Sequence, residues 1–500
     1  MAYAFIGAVW IAIFGRIIPD LHRDHSVFVS VAERLIAGDR LYSGVWDNKD
    51  PLFYWTLAIG RWITPYADLI LEILWLLLAG VAVRSISKHF SLSPAVTNAY
   101  AFGVTPLVLT GGMYVPGLTH LPAEALILFA TAVALQRRYL IAGLVLSTLA
   151  LEKLVLVPVG VTAVFVVIYS AKQSAPLLKS LLRTFSGGVL GLAFWVGILI
   201  YRNEFGPYLN AQKLNFLYAN SEAGSHALTN TFGPIFRHFL QTMSISTLII
   251  LPVTFFYLLI TKFDVRNKFA LRDLPDAQNL MWWLSLSTLI TSTGILFMSG
   301  IWPHHAQIYF VSGIFVGILF LSRGFENVES LQLKQLAIFT AMGVLLGGII
   351  YPMQYVQADT KAFQAVKSLG SVSPLTQELL KRSPSSSYAR AGSNNDLGHA
   401  FGLAHWKLAC PRFNQYSFDP PELLATDVAC LSKAKYLLVT PGIYGDTPNS
   451  HQPSASTETT AFNKFVLQFR ALLASSYSCT KYTFTSDADA SGYICEKRSQ

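Results

Sequence analysis

A chain that repeats long apolar runs, with only short charged interruptions, has few folds open to it. This one does so from residue 3 to residue 352. The runs are 3–19, 68–83, 94–111, 121–136, 139–152, 154–170, 185–201, 244–260, 280–298, 305–322 and 335–352. A membrane-spanning helix needs about 20 apolar residues, with about 17 as a lower limit. The sequence therefore predicts a polytopic α-helical membrane protein with about eleven spans. The run 139–152 is short, and only Glu152-Lys153 separates it from 154–170. The first run lacks a basic leader and a small-residue cleavage site, so it reads as a retained span and not a signal peptide.

Composition agrees. Hydrophobic residues make up 53% and charged residues 13%, against roughly 25% charged in an average soluble domain; mean hydropathy is +0.44. Length alone, at 500 residues, would suggest about three soluble domains, and the apolar runs overrule that. The net charge of +9 is not read as a nucleic-acid footprint, because Lys and Arg gather in short loops between apolar runs, the positive-inside pattern. Five loops are marked in this way: Arg84 and Lys88; Arg137 and Arg138; Lys172, Lys179 and Arg183; Lys262, Arg266, Lys268 and Arg272; Arg323 and Lys334. Placing all five in the cytoplasm makes the spans alternate with the N-terminus inside. The long segments 20–67 and 202–243 then face outward, as does everything after residue 352. Residues 51–64 are apolar and aromatic but too short to span. They read as an interfacial helix with Trp55 and Trp62 at headgroup depth.

From residue 353 the composition shifts to Ser, Asn, Asp, Thr and Pro. The expected division is thus a membrane domain over 1–352 and a small α/β extracytoplasmic domain over 353–500. Residues 383–387 and 445–459 read as loops. Tyr436 to Thr440, ended by Pro441 and Gly442, reads as a buried strand, and Phe462 to Ser475 as a helix. All four cysteines fall in this segment, which points to disulfides in an oxidising compartment. Connectivity does not follow from the sequence; nearest-neighbour pairing, Cys410 with Cys430 and Cys479 with Cys495, is the expectation. No internal repeat of fixed period is present.

The first outer loop carries the chemistry-bearing residues. It opens Asp20-Leu21-His22-Arg23-Asp24-His25 and runs through Ala32-Glu33-Arg34-Leu35-Ile36-Ala37-Gly38-Asp39-Arg40-Leu41-Tyr42 to Val45-Trp46-Asp47-Asn48-Lys49-Asp50-Pro51-Leu52-Phe53-Tyr54-Trp55. Residues 26–37 have helical apolar spacing, so Asp24 and His25 stand near a helix N-terminus at the membrane surface. Ionisable residues there are costly unless paired or used.

Asp24-His25, then Ala-x-x-Leu-x-x-Gly-x-x-Leu-Tyr, then Val-Trp-Asp-x-Lys-x-Pro-Leu-x-Tyr-Trp, resembles the first outer loop of the GT-C glycosyltransferases, nearest to the protein mannosyltransferase and aminoarabinose transferase group. Glu124 at the start of a span, Glu152-Lys153 between two runs, and Pro303-His304-His305 with Tyr309 are similar to further features of that family. The similarity covers residues 1 to about 352. It implies inverting transfer of a sugar from a polyprenyl-phosphate-linked donor to a glycan, lipid or protein acceptor on the outer face. The membrane would be a bacterial plasma membrane, with the C-terminal domain periplasmic. The acceptor hydroxyl needs a carboxylate to take its proton, and the leaving phosphate needs cations. Asp24 is the candidate base, with Asp20 and Glu124 as the other carboxylates. Lys49, His304, His305 and Arg237 are candidate phosphate contacts, and His25, Asp47 and Tyr54 are further loop candidates. The family usually shows Asp-Glu where this chain has Asp24-His25; an imidazole in place of one carboxylate weakens the carry-over of a metal site, and a divalent ion stays open. The plainer readings are Asp24 as a helix N-cap, Lys49 as an interfacial snorkelling lysine and the two histidines as interface residues. A transporter or flippase of lipid-linked sugars is the alternative function. It predicts paired repeats or mid-membrane ionisable groups, whereas the polar residues here gather at the outer ends of spans. An assembly protein without activity is the third reading.

Overall fold

The computed structural model describes residues 6, 25–90, 92, 94–110, 119–171, 176–226, 276–298, 307–324, 374–382, 386–392, 406–413, 415, 419, 421–444, 457–482 and 492–498. The expected runs 244–260 and 335–352, and all of 3–19 but Ile6, lie outside them. In chain order the helices are α1 (His25–Ile36), α2 (Pro51–Ile63), α3 (Ala67–Lys88), α4 (Pro94–Ala99), α5 (Thr105–Leu109), α6 (His120–Leu135), α7 (Tyr139–Lys153), α8 (Val157–Ser170), α9 (Leu177–Tyr201), α10 (Phe205–His226), α11 (Asp276–Met298) and α12 (Tyr309–Gly324). Beyond them come α13 (Pro374–Leu380), α14 (Pro421–Leu431), α15 (Pro441–Tyr444) and α16 (Thr457–Ser476), with strands β1 (Ser387–Ala391), β2 (Lys407–Leu408), β3 (Tyr436–Val439), β4 (Tyr477–Tyr482) and β5 (Gly492–Lys497). These residues form two compact units. One is drawn from Leu69–Gly197 with α11 and α12; the other combines residues up to Asp68, Ile198–Ser225 and the C-terminal segment.

The first unit is helical. Among the described residues, α3, α9 and the segment Tyr139–Ser170 are long and apolar enough to cross a membrane. That last segment is 32 residues long, yet it is two helices. The backbone of Lys153 is extended (φ −160°, ψ 89°). A Cβ placed on Gly160 would also meet Leu146 and Leu149, of which a straight helix would hold the nearer about 16 Å away. The chain therefore folds back at Lys153, as the charged interruption there suggests, and Pro158 starts the new helix. The run 94–111 is less regular than expected. α4 and α5 are joined by a π-helical stretch, Tyr100–Val104, which places the Tyr100 hydroxyl 2.9 Å from the Ile314 carbonyl of α12. Hydroxyls join the remaining helices: Ser312 donates to Ser285 O at 2.8 Å, and Thr291 to Thr162 at 3.3 Å. Such contacts substitute in lipid for the hydrophobic drive that lipid does not supply. α7 and α9 cross on glycines. A Cβ on Gly187 would stand 2.0 Å from Leu140 O, and one on Gly143 2.0 Å from Thr184 O.

Three helix ends share one device. After α1, α6 and α9, residues Gly38, Arg137 and Asn203 take positive φ (98°, 62° and 56°). The next residue's N–H reaches back five residues, Asp39 to Arg34 O, Arg138 to Val133 O and Glu204 to Leu199 O, at 3.0, 3.0 and 2.8 Å. This is the Schellman pattern, and it turns each helix sharply into the next segment.

In the second unit, a five-stranded sheet has the order β2-β1-β3-β5-β4. β2, β1 and β3 are parallel, while β5 runs antiparallel to both β3 and β4. β3 is buried along its whole length, as a continuous apolar run in a covered sheet should be. Its core includes Leu424 and Leu431 of α14 and Phe465, Phe469 and Leu473 of α16. α16 starts at Thr457, inside the stretch 445–459 read as loop. Both expected cysteine pairs are joined. Cys479 and Cys495 face each other in register across β4 and β5 with Cα atoms 3.9 Å apart, and Cys410 and Cys430 are 5.2 Å apart at Cα. The segment 202–243, read as a long outer loop, holds helix α10.

Candidate functional site

The first outer loop lies in the second unit and is built around α1 and α2. Residues 27–32 of α1 are all buried, Val29 and Ser30 as well as Val27, Phe28, Val31 and Ala32, and the Phe28 ring meets Phe53 of α2 edge-on at 5.2 Å. α1 starts at His25, directly after Asp24 in sequence. Asp20, Asp24, Arg237, His304 and His305 lie outside the described residues. α2 begins after Asp50 with Pro51 in its first turn, where the missing N–H costs nothing. It buries Phe53, Tyr54 and Leu57 and exposes Ile59, Trp62 and Ile63 at 63%, 76% and 71%, the apolar face an interfacial helix requires. Trp55 is placed differently, with the Arg202 guanidinium 5.7 Å over its ring.

Between the two helices, the motif Trp46–Pro51 is held by side chains on both flanks. Tyr42, itself at φ 66°, donates from its hydroxyl to Lys49 O at 2.7 Å. Asp47 accepts from the buried Tyr54 hydroxyl. Asp50 accepts from Gln212 at 2.9 Å and Tyr208 at 3.3 Å, and Asn215 donates to Asn48 O at 2.9 Å. The fully buried Glu204 accepts from the Leu41 N–H at 3.1 Å and pairs with Arg202 at 2.9 Å. The Lys49 ammonium lies 5.7 Å over the Phe28 ring and is half-buried. Burial first, and the Asp50 charge after it, push the phenols of Tyr42 and Tyr208 well up, so both stay neutral donors. Asp47, Lys49 and Tyr54, singled out from sequence, are thus brought together. Glu204, Tyr208, Gln212 and Asn215 were not singled out. Their signal is the placement of the last three on one face of α10 by spacings of four and three.

Glu124 belongs to the first unit. It lies one turn into α6 and is 1% exposed. Neither carboxylate oxygen has a hydrogen-bond partner among the described residues; its charged neighbours are Lys153 and Glu72. Lys153 donates to Thr119 at 2.9 Å and stands 3.2 Å from His120 Nδ1. The buried acid and the cation therefore occupy the start of α6 and the end of α7, the ends that the loop charges put outside. Among the described residues no group of three His, Cys, Asp or Glu is placed to hold a metal ion.

No protein-family model matches the chain, and no curated protein matches it. Solved structures do. One is the oligosaccharyltransferase of Archaeoglobus fulgidus tethered through a disulfide to an acceptor peptide containing the NVT sequon. It is 13% identical, with a TM-score of 0.47 over 98% of this chain and 73% of that one. Another is the archaeal oligosaccharyltransferase AglB from the same organism, in complex with an inhibitory peptide and a dolichol-phosphate. It is 12% identical, with a TM-score of 0.47 over 98% of this chain and 74% of that one.

Proposed function

We propose that this chain is a membrane glycosyltransferase. It moves a sugar from a polyprenyl-phosphate-linked donor to a glycan, lipid or protein acceptor on the outer face, with inversion. Asp24 takes the acceptor proton as the acceptor oxygen bonds to the anomeric carbon. The bond from that carbon to the donor phosphate breaks, and its electron pair leaves on the phosphate. Lys49, with Arg237, His304 and His305, offsets the phosphate charge; Asp20 and Glu124 are the competing carboxylates. The observation that carries this reading is the frame of the first outer loop. Asp47, Asn48, Lys49 and Asp50 are each held through a carboxylate or a carbonyl, which supports a loop that offers Lys49 from a fixed backbone. Rigid positioning of a base and a cation is what a displacement at a sugar carbon needs.

The test has two parts. Cells lacking the protein should accumulate the lipid-linked donor, which identifies the sugar. Purified Asp24→Asn should fold but transfer sugar about 100-fold to 10,000-fold more slowly. Asn still caps a helix about as well as Asp. Lys49→Ala should raise the KM for donor more than it lowers kcat. Movement of intact donor across the membrane without sugar transfer would favour the flippase instead.

A further inference from the structure

We infer that Arg412 is a positioning residue for the first outer loop, acting through Trp46, and that the Cys410–Cys430 disulfide holds it in place. This rests on the functional reading of that loop given above.

The contacts all lie within the second unit. The Trp46 N–H donates to Pro411 O at 2.8 Å, and Trp46 forms an isolated parallel bridge with Arg412. The Arg412 guanidinium lies 5.3 Å from the Trp46 ring centroid. Its edge is taken by two carboxylates, Asp427 at 2.9 Å and Asp419. Asp427 and Cys430 both belong to α14, and Cys430 is bonded to Cys410. Residues 410–412 are thus fixed to one helix twice, once covalently and once by an ion pair. Immediately beyond Trp46 come Asp47 and Lys49.

The chemistry argues for a positioning role over plain stability. A buried charge triad is weak evidence for stability, since apolar residues of similar volume do as well or better. What Arg412 supplies is geometry. A planar guanidinium can stack on an indole face while donating in its plane to two carboxylates, and a lysine ammonium cannot.

The experiment uses the purified full-length protein in detergent, with Arg412→Lys and Arg412→Ala. Hydrogen exchange is read on the peptide covering residues 40–50 and on β3, and transfer kinetics are read separately. We expect exchange over 40–50 to quicken about 10-fold or more while β3 keeps its protection. kcat/KM for donor should fall about 10-fold to 100-fold, with the KM rising as the Lys49 contact to the donor loosens, and Arg412→Lys should not rescue it. If either variant fails to fold, Trp46→Leu removes the same stack from the loop side, leaves the triad intact, and should give the same signature. Unchanged exchange over 40–50 in a folded variant overturns the clamp. Quickened exchange with unchanged kcat/KM for donor overturns the positioning role. Absence of transfer by the wild-type protein overturns the functional reading instead, and the exchange data still decide whether the clamp exists.

Discussion

Arg34 donates from Nη1 to the main-chain carbonyl of Trp406 at 2.6 Å, across 372 positions of the chain. The same guanidinium pairs with Asp39 at 2.6 Å, and both Arg34 and Trp406 are buried. A single side chain thus joins the end of α1 to the segment that leads into β2. Arg34→Met should destabilise the second unit by about 3 kcal/mol, because it strips partners from a buried carbonyl and a carboxylate. Denaturant unfolding followed by fluorescence would measure it. The double change Arg34→Met with Asp39→Leu should recover part of the loss, since it leaves no charge unpaired. A single change costing under about 0.5 kcal/mol, the usual range for surface substitutions, would mean the contact is not formed in solution.

Gly187 and Gly197 of α9 form a matched pair for the crossing of α7 and α9. Gly187→Ala should lower the yield of monodisperse protein and the Tm, because its Cβ would stand 2.0 Å from Leu140 O, and backbone cannot yield as a side chain can. The penalty should be of the order of 1–3 kcal/mol. Gly197→Ala meets nothing within 4 Å among the described residues and should be neutral or stabilising by about 0.5–1 kcal/mol. Equal effects at both positions would contradict the close crossing.

Much of this fold is legible in the sequence, for identifiable reasons. The apolar spacing of Val27, Phe28 and Val31 marks α1, and Asp50-Pro51 marks the start of α2. The run Tyr436–Val439 ended by Pro441 marks β3, the central strand. What stays hidden is carried by main-chain atoms. The bond from Trp46 N to Pro411 O has no residue signature. Of the three positive-φ helix ends, Gly38 and Asn203 are residue types that favour that conformation, and only Arg137 gives no sign of it. The site divides the same way. Asp47, Lys49 and Tyr54 stand in a recognisable motif. Glu204, Tyr208 and Gln212 lie in a segment whose helix is only weakly amphipathic by sequence, so their shared face shows only once α10 is seen.

Asp427 should make the second unit sensitive to pH near neutrality. Burial pushes its carboxyl up to about 7; Arg412 opposes the rise and Asp419 adds to it. In the unfolded chain an Asp titrates near 3.9. Between about pH 4 and pH 7 the folded state therefore holds more protons than the unfolded one, and stability falls as pH rises through that window. The Tm of this unit should be higher at about pH 5.5 than at about pH 8. Asp427→Asn should flatten the dependence, and an equally steep slope in the variant would rule Asp427 out as its source.

Glu124 separates a chemical role from a structural one. Its carboxylate is buried, lacks a hydrogen-bond partner among the described residues, and sits at the start of α6 with Lys153 and Glu72 as charged neighbours. A buried ionisable group without such a partner is expensive. Glu124→Gln preserves size and removes the ability to accept a proton or carry charge. If the acid serves only packing, the variant should be as stable as the wild type or more so, and should transfer sugar at the same rate. If it serves the reaction, stability should hold or rise while kcat falls about 100-fold or more. With Asp24 as the proposed base we expect the first outcome, read from initial rates at saturating donor together with the Tm in the same detergent. Full activity in a stable Glu124→Gln protein would leave Asp24 and Asp20 as the carboxylates to test for the base.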